Sequence, residues 1–184
     1  MKPLIAAAFL VSAAPASAAG NLVGNGSFET GDFTNWTQFG DTGASFVDFA
    51  IVDNSTDGIY QASFGPIAVG GIEQTIASTA HHYIVSFDLA NDSGTFNSVA
   101  FGGLTLLGTV GNQLFTHYSF DVHTSANPTL SFSFQNEAFF YALDNVGVEA
   151  LVGGVPESAT WAMMIAGFGL TGAAMRRRRA ALAA

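Results

Sequence analysis

Between Lys2 and Arg176 the chain contains no lysine and no arginine. All five basic residues are Lys2 and Arg176 to Arg179, whereas every one of the 14 acids except Glu157 lies between Glu29 and Glu149. A fold built from this stretch has no lysine or arginine with which to close a salt bridge. Each carboxylate it buries therefore needs hydrogen-bond donors, a proton or a metal ion. The chain also has no cysteine, so no disulfide braces it and no thiol nucleophile is available. Stability must come from an apolar core. Phe is abundant at 17 residues and only 10% of the chain is charged, and a domain of roughly 135 residues is large enough to bury a core without staples. The same charge balance excludes nucleic acid as a partner, because phosphates are met by lysine and arginine. It disfavours anionic membrane surfaces for the same reason.

The hydrophobic pattern has a period of two. Tyr83, Val85, Phe87 and Leu89 alternate with Ile84, Ser86, Asp88 and Ala90, and Leu130, Phe132 and Phe134 alternate with Ser131, Ser133 and Gln135. Such alternation predicts half-buried strands. Shorter versions predict strands at Phe46–Val52, Ile59–Phe64, Ile72–Ile76, Leu104–Val110, Leu114–His123 and Tyr141–Val148. Turn chemistry at Asn54–Gly58, Asn91–Gly94, Gly111–Asn112 and Ser125–Pro128 separates them. Many short strands with polar turns and no helical period predict an all-β, antiparallel sandwich. On the Leu114–His123 strand, Tyr118 falls in phase with Leu114, Phe120 and Val122, which predicts a buried side for all four.

The two ends are different in character. Lys2, the apolar run Leu4 to Val11 and the Ala16-Ser17-Ala18 site predict a secretory signal peptide over residues 1–18, with an uncleaved N-terminal anchor as the alternative. Near the other end, residues 159–175 form an uncharged apolar run, at the short end of the roughly 17–25 residues that span a bilayer as a helix. Arg176, Arg177, Arg178 and Arg179 follow at once, which predicts a single transmembrane helix with the basic tail, residues 176–184, on the cytoplasmic side. The β-sandwich domain then occupies residues 19–152. Gly153 and Gly154 begin a linker, residues 153–158, that ends in Pro156-Glu157-Ser158.

This tail resembles the PEP-CTERM sorting signal of Gram-negative bacteria, in the variant with Trp-Ala after the motif. The residues that carry the likeness are Pro156, Glu157, Trp161, Ala162, the glycine-rich span and the four arginines; Ser158 stands where the family has a second proline. The resemblance implies recognition by an exosortase, a membrane protease that cleaves near the motif. It also implies export across the inner membrane, transient anchoring there, and release to the cell surface or an exopolysaccharide matrix such as that of a biofilm. An ordinary membrane anchor is the alternative.

Asn21 to Glu29, with Gly31 and Trp36, opens the domain, and Tyr141 to Val148 closes it. With Gly71–Ile76 and the strand at Tyr83, these segments resemble carbohydrate-binding modules of the galactose-binding-like, jelly-roll type. The resemblance implies a glycan ligand and a structural calcium ion (Ca2+) held by Glu29 and Asp144 where the first and last strands meet. The residues also admit another reading, in which both carboxylates accept backbone N–H bonds at turns. Trp36, Tyr60, Tyr118 and Tyr141 are the aromatic candidates for stacking a sugar, with Trp36 better suited to packing against the sheet.

Enzyme motifs are thin. There is no G-x-S-x-G elbow, P-loop or H-E-x-x-H pair. His117, Asp121 and His123 share a strand face, but the ends of that row lie about 20 Å apart at roughly 3.3 Å per residue, too far for one ion. His81-His82 reads as a loop at a strand entrance. The function expected is therefore a non-catalytic, exported surface or matrix protein whose sandwich binds or packs with glycan. A structural protein without sugar affinity and a polysaccharide hydrolase are the alternatives.

Overall fold

The computed structural model describes residues 20–49, 55–92, 95–136, 139–151 and 164–169. The compact unit Ser17–Val152 is all-β. Its strands are β1 (Thr37–Gly40), β2 (Ser45–Phe49), β3 (Tyr60–Phe64), β4 (Gly70–Thr75), β5 (His82–Asn91), β6 (Phe96–Phe101), β7 (Leu104–Leu107), β8 (Gln113–His123), β9 (Thr129–Gln135) and β10 (Tyr141–Ala150). They form two five-stranded antiparallel sheets. The first has the order β1-β4-β9-β6-β7 and the second β2-β3-β10-β5-β8.

The alternation of the sequence becomes the core of the sandwich. Tyr83, Val85, Phe87 and Leu89 of β5 face Leu130, Phe132 and Phe134 of β9, and all seven are fully buried. Rings interlock between the sheets: Phe87 meets Phe132 edge-on at 5.2 Å, Phe64 stacks on Phe134 at 4.5 Å, and Tyr83 meets Phe101 edge-on at 5.2 Å. Each phenylalanine so buried stabilises the fold by about 1.5–3 kcal/mol relative to an exposed one. Trp36 also belongs to the core. It stacks on Phe28 at 5.9 Å and donates from Nε1 to the Asn25 carbonyl at 3.0 Å.

The opening segment is turn-rich rather than a strand, yet it lies along the closing strand β10. Leu22 N donates to Val148 O at 2.8 Å and Val146 N to Gly26 O at 3.0 Å, while the Asn21 side chain bonds both Val146 O and Val148 N at 3.0 Å. Only glycine permits so close an approach at position 26, where a Cβ would sit 2.1 Å from the Val146 carbonyl oxygen.

Two bulges set which side chains face out. In β10 the register with β5 shifts between Asp144 and Gly147, with Asn145 at φ +51°. The extra residue lets Leu143 and Val146 both point into the core. In β8 a second shift, between the partners of Leu89 and Asn91, corrects the sequence expectation. Tyr118, Phe120 and Val122 do keep the inward phase, but Leu114 lies within the bulge and is 89% exposed. His82, expected in a loop, is the first residue of β5.

Residues 1–18, with the expected signal peptide, lie outside the described residues, and so do Pro156, Glu157, Trp161, Ala162, Arg176, Arg177, Arg178 and Arg179. Of the expected transmembrane helix, residues 164–169 are described and are helical. No helix among the described residues is long and apolar enough to cross a membrane.

Candidate functional site

The outward-facing residues of the second sheet line a groove of about 770 Å³. Its floor follows from the strand register. Phe46 of β2 lies opposite Ser63 of β3, Ser63 opposite Ala142 of β10, and Ala142 opposite Ala90 of β5. Three small side chains in a row thus sit between bulky flanks. On one flank the rings of Phe46 and Phe140 meet edge-on at 5.4 Å and each is 41% exposed. Gln113, Leu114 and Phe115 of β8 form the other flank, and Leu114 reaches it because of the β8 bulge.

The polar groups of the groove are amides, hydroxyls and carboxylates. Asp48, Gln61, Asp92 and Asn112 line it together with Ser55 and Thr56. Asp48 Oδ1 accepts from the Ser63 hydroxyl at 3.0 Å. Gln61 Oε1 is buried and makes no hydrogen bond among the described residues, although a buried acceptor is nearly always satisfied. Asn91, at the head of the groove, is buried, and its amide donates to the Val110 carbonyl at 2.8 Å.

Beyond this floor a second row crosses the sheet. Asp144 of β10 lies opposite Asp88 of β5, and Asp88 opposite His117 of β8. Both acids are buried, so neighbouring donors must stabilise their charges. Asp144 Oδ2 accepts from Thr56 N at 2.6 Å, Asp57 N at 2.9 Å and Thr56 Oγ1 at 3.3 Å, and its Oδ1 accepts from Asn145 N at 2.7 Å. Burial nevertheless pushes the Asp144 carboxyl above the usual carboxylate range, against those bonds. At Asp88 the balance is reversed. Burial pushes its carboxyl up, but hydrogen bonds from Thr56, Asn145 and His117, together with the His117 charge, outweigh it and hold the group low. His117 Nδ1 lies 2.6 Å from Asp88 Oδ1, and Asn145 Nδ2 donates to Asp88 Oδ2 at 3.0 Å.

Glu29 reaches the same turn from the other side. Its Oε1 accepts from Ile59 N at 2.7 Å and Tyr60 N at 2.8 Å. Gly58, at φ +84°, packs under that carboxylate, and a Cβ there would lie 2.3 Å from it. Both sequence-predicted metal ligands thus converge on the Thr56–Tyr60 backbone as acceptors of N–H bonds, the alternative that their residue types left open. Their chemistry still suits calcium, a hard cation that takes about six to eight oxygen ligands. Glu29 Oε2 and the remaining lone pairs of Asp144 Oδ1 are the oxygens not already committed to protein donors in these bonds.

The four aromatic residues singled out in the sequence do not line the groove. Trp36 and Tyr141 are buried, Tyr118 packs on Phe87 at 5.4 Å and Tyr60 meets Phe49 edge-on at 5.8 Å. Phe46 and Phe140 line it instead.

No protein-family model matches the chain, and no curated protein does. Among solved structures, TmCBM61 in complex with beta-1,4-galactotriose is similar over 71% of this chain and 98% of its own, with TM-score 0.60 and 20% identity. A family 16 carbohydrate-binding module matches over 70% of this chain and 99% of its own, with TM-score 0.54 and 15% identity. The CBM22-1–GH10 modules of a Clostridium thermocellum xylanase, complexed with xylohexaose, match over 74% of this chain and 29% of theirs, with TM-score 0.54 and 15% identity. The chain therefore has the two-sheet jelly-roll fold of carbohydrate-binding modules.

Proposed function

We propose that the protein is a non-catalytic glycan-binding protein and that the groove on the second sheet holds a neutral polysaccharide. The observation that carries this reading is the groove itself: a floor of Ser63, Ala142 and Ala90, an exposed Phe46–Phe140 wall, and amide and carboxylate groups above it. An aromatic wall beside a small-residue floor suits the apolar face of a sugar ring, and the polar groups suit its hydroxyls. The orphaned Gln61 Oε1 is a natural acceptor for one of those hydroxyls. Charge narrows the class further. Asp48 and Asp92 line the groove and no lysine or arginine lies between Lys2 and Arg176, so a uronate or sulfated chain would meet repulsion with no basic side chain to offset it. The likeness to modules solved with galactotriose and xylohexaose supports this choice of ligand class.

In this reading the tail sorts the protein. An exosortase recognises Pro156 and Glu157, the arginines orient the span in the inner membrane, and cleavage releases the sandwich to the surface or exopolysaccharide matrix. A calcium ion at Glu29 Oε2 and Asp144 Oδ1 would tie the opening segment to β10 and supply the positive charge that the domain otherwise lacks. The first test is a thermal-shift screen of the full-length protein in mild detergent against neutral and acidic oligosaccharides. A ligand selective for the native state stabilises it by RT ln(1 + [L]/Kd), about 2.7 kcal/mol at a hundredfold excess over Kd. A neutral sugar that raises Tm is the expected result; stabilisation by acidic sugars alone would refute the proposed class.

A further inference from the structure

At the other end of β8 from the groove, three potential ligands converge on the outer face of the second sheet. His82 of β5 lies directly opposite His123 of β8, and Ile84 lies opposite Asp121. His82 and Asp121 are therefore diagonal neighbours on one face, and Asp121 and His123 are two residues apart on the same strand. The imidazole rings of His82 and His123 stack at 4.0 Å with an interplanar angle of 17°. Both present Nε2 to the same oxygen: His82 Nε2 lies 2.7 Å and His123 Nε2 3.9 Å from Asp121 Oδ1. All three ligand atoms fall within 4.8 Å of one another, and among the described residues this is the one such group of three. The period of β8 alone brings Asp121 and His123 together but leaves His117 too distant to join them. The cross-strand register supplies His82 in its place.

We propose that His82, Asp121 and His123 form a binding site for a divalent transition-metal ion of the zinc class. A tetrahedral ion with ligands at about 2.0–2.1 Å separates those ligands by about 3.3 Å. The observed 2.7 and 3.9 Å bracket that spacing, so small side-chain rotations on an open surface suffice to admit the ion. Two imidazoles and one carboxylate select Zn2+ over Ca2+ and Mg2+, which prefer oxygen donors. The fourth position faces solvent. His81 lies alongside but directs Nδ1 to the Thr124 carbonyl at 3.1 Å, so it is not needed as a ligand. The ion would staple β8, an edge strand, to β5. This site is independent of the glycan reading, because none of its three ligands lines the groove.

The test is calorimetric titration of Zn2+ into tag-free, chelator-treated full-length protein in mild detergent. One saturable Zn2+ per chain is expected, undisturbed by excess Mg2+. His82→Ala and His123→Ala should each weaken it by more than about tenfold, since even an outer-shell partner of a metal ligand is worth 10–100-fold. His117→Ala removes the other His–Asp pair of the same sheet and should leave the affinity unchanged. Histidine-ring NMR of the wild type gives a second reading that needs no variant: Zn2+ should move the His82 and His123 resonances and spare His117. The proposal is overturned by no saturable binding, by affinity indifferent to His82 and His123, or by perturbation of His117 in their place.

Discussion

Glu29 and Asp144, one near each end of the domain sequence, bond the same short piece of backbone, with Asp144 holding the amides of Thr56 and Asp57 and Glu29 those of Ile59 and Tyr60. Four successive N–H groups, interrupted only at Gly58, are thereby satisfied by two carboxylates. The arrangement anchors the turn before β3 to both the opening segment and β10, and Thr56 of that turn lines the groove.

The two carboxylates should not contribute equally. Asp144 is fully buried and serves three backbone donors, whereas Glu29 is exposed and serves two. Each buried donor left without a partner costs about 1–3 kcal/mol. Asp144→Ala should therefore lower unfolding free energy by about 3 kcal/mol or more, and Glu29→Ala by about 1 kcal/mol, as read by urea denaturation. A smaller loss for Asp144→Ala than for Glu29→Ala would contradict this assignment.

Calcium makes a separate prediction. If the ion binds the remaining oxygens of Glu29 and Asp144, millimolar Ca2+ should raise Tm in wild type and the gain should largely vanish in Glu29→Gln. General screening of the acidic domain is the competing explanation. In that case Mg2+ or high NaCl would raise Tm as much as Ca2+, and the Glu29→Gln variant would respond fully.

Acid should act through Asp88. Its folded-state carboxyl lies below the unfolded value of about 3.9, so the unfolded chain holds the proton more tightly. The resulting stability is fully present above about pH 4 and is lost as pH falls through the lower folded value. Asp32, held low chiefly by Thr34, and Asp41, held low chiefly by the Ala68 amide, titrate in the same direction. The readout is therefore the difference between wild type and Asp88→Asn. The variant should lose less stability between pH 5 and pH 2.5 in a series of thermal melts, and an identical acid limb would exclude Asp88 as a contributor. Asp144 works in the opposite sense, since its raised carboxyl favours the fold as acid protonates it.

The tail is tested in the native host. Pro156→Ala with Glu157→Ala should accumulate an uncleaved membrane form, while wild type is processed. Identical size and fractionation of the two proteins would remove the exosortase reading and leave an ordinary anchor.

How far the sequence discloses this molecule depends on whether each signal is local. The alternation at β5 and β9 places their core residues on the correct face, because nothing interrupts the period of two. β6 escapes detection because the polar Asn97 opens its inward row ahead of Val99 and Phe101, its amide serving Gly108 O and Val110 N. β1 is a four-residue edge strand of mostly polar residues, too short to show a period. Leu114 is misplaced because a bulge reverses its face, and a bulge leaves no mark in hydrophobicity. The groove is harder still. The strand expected at Phe46–Val52 leaves its faces open, and it is the pairing of β2 with β3 that assigns Val47 and Ala62 to the interior and turns Phe46 outward. His82 meets His123 through register alone, between residues far apart in the chain. By contrast, Glu29 and Asp144 are singled out by the resemblance of the opening and closing segments to carbohydrate-binding modules, and both accept backbone N–H bonds at one turn, the alternative that their residue types admit.

The central claim is that the Phe46–Phe140 groove binds a neutral glycan, and calorimetric titration of neutral oligosaccharides into wild type, Phe46→Ala and Phe140→Ala tests it most directly. An aromatic contact is worth about 0.5–1.5 kcal/mol, so each substitution should weaken binding roughly 2- to 12-fold while leaving Tm without ligand nearly unchanged. Leu104→Ala, an exposed position on the other sheet, should bind as wild type does. If no neutral oligosaccharide binds, or if both phenylalanine variants bind as tightly as wild type, the groove is not the glycan site.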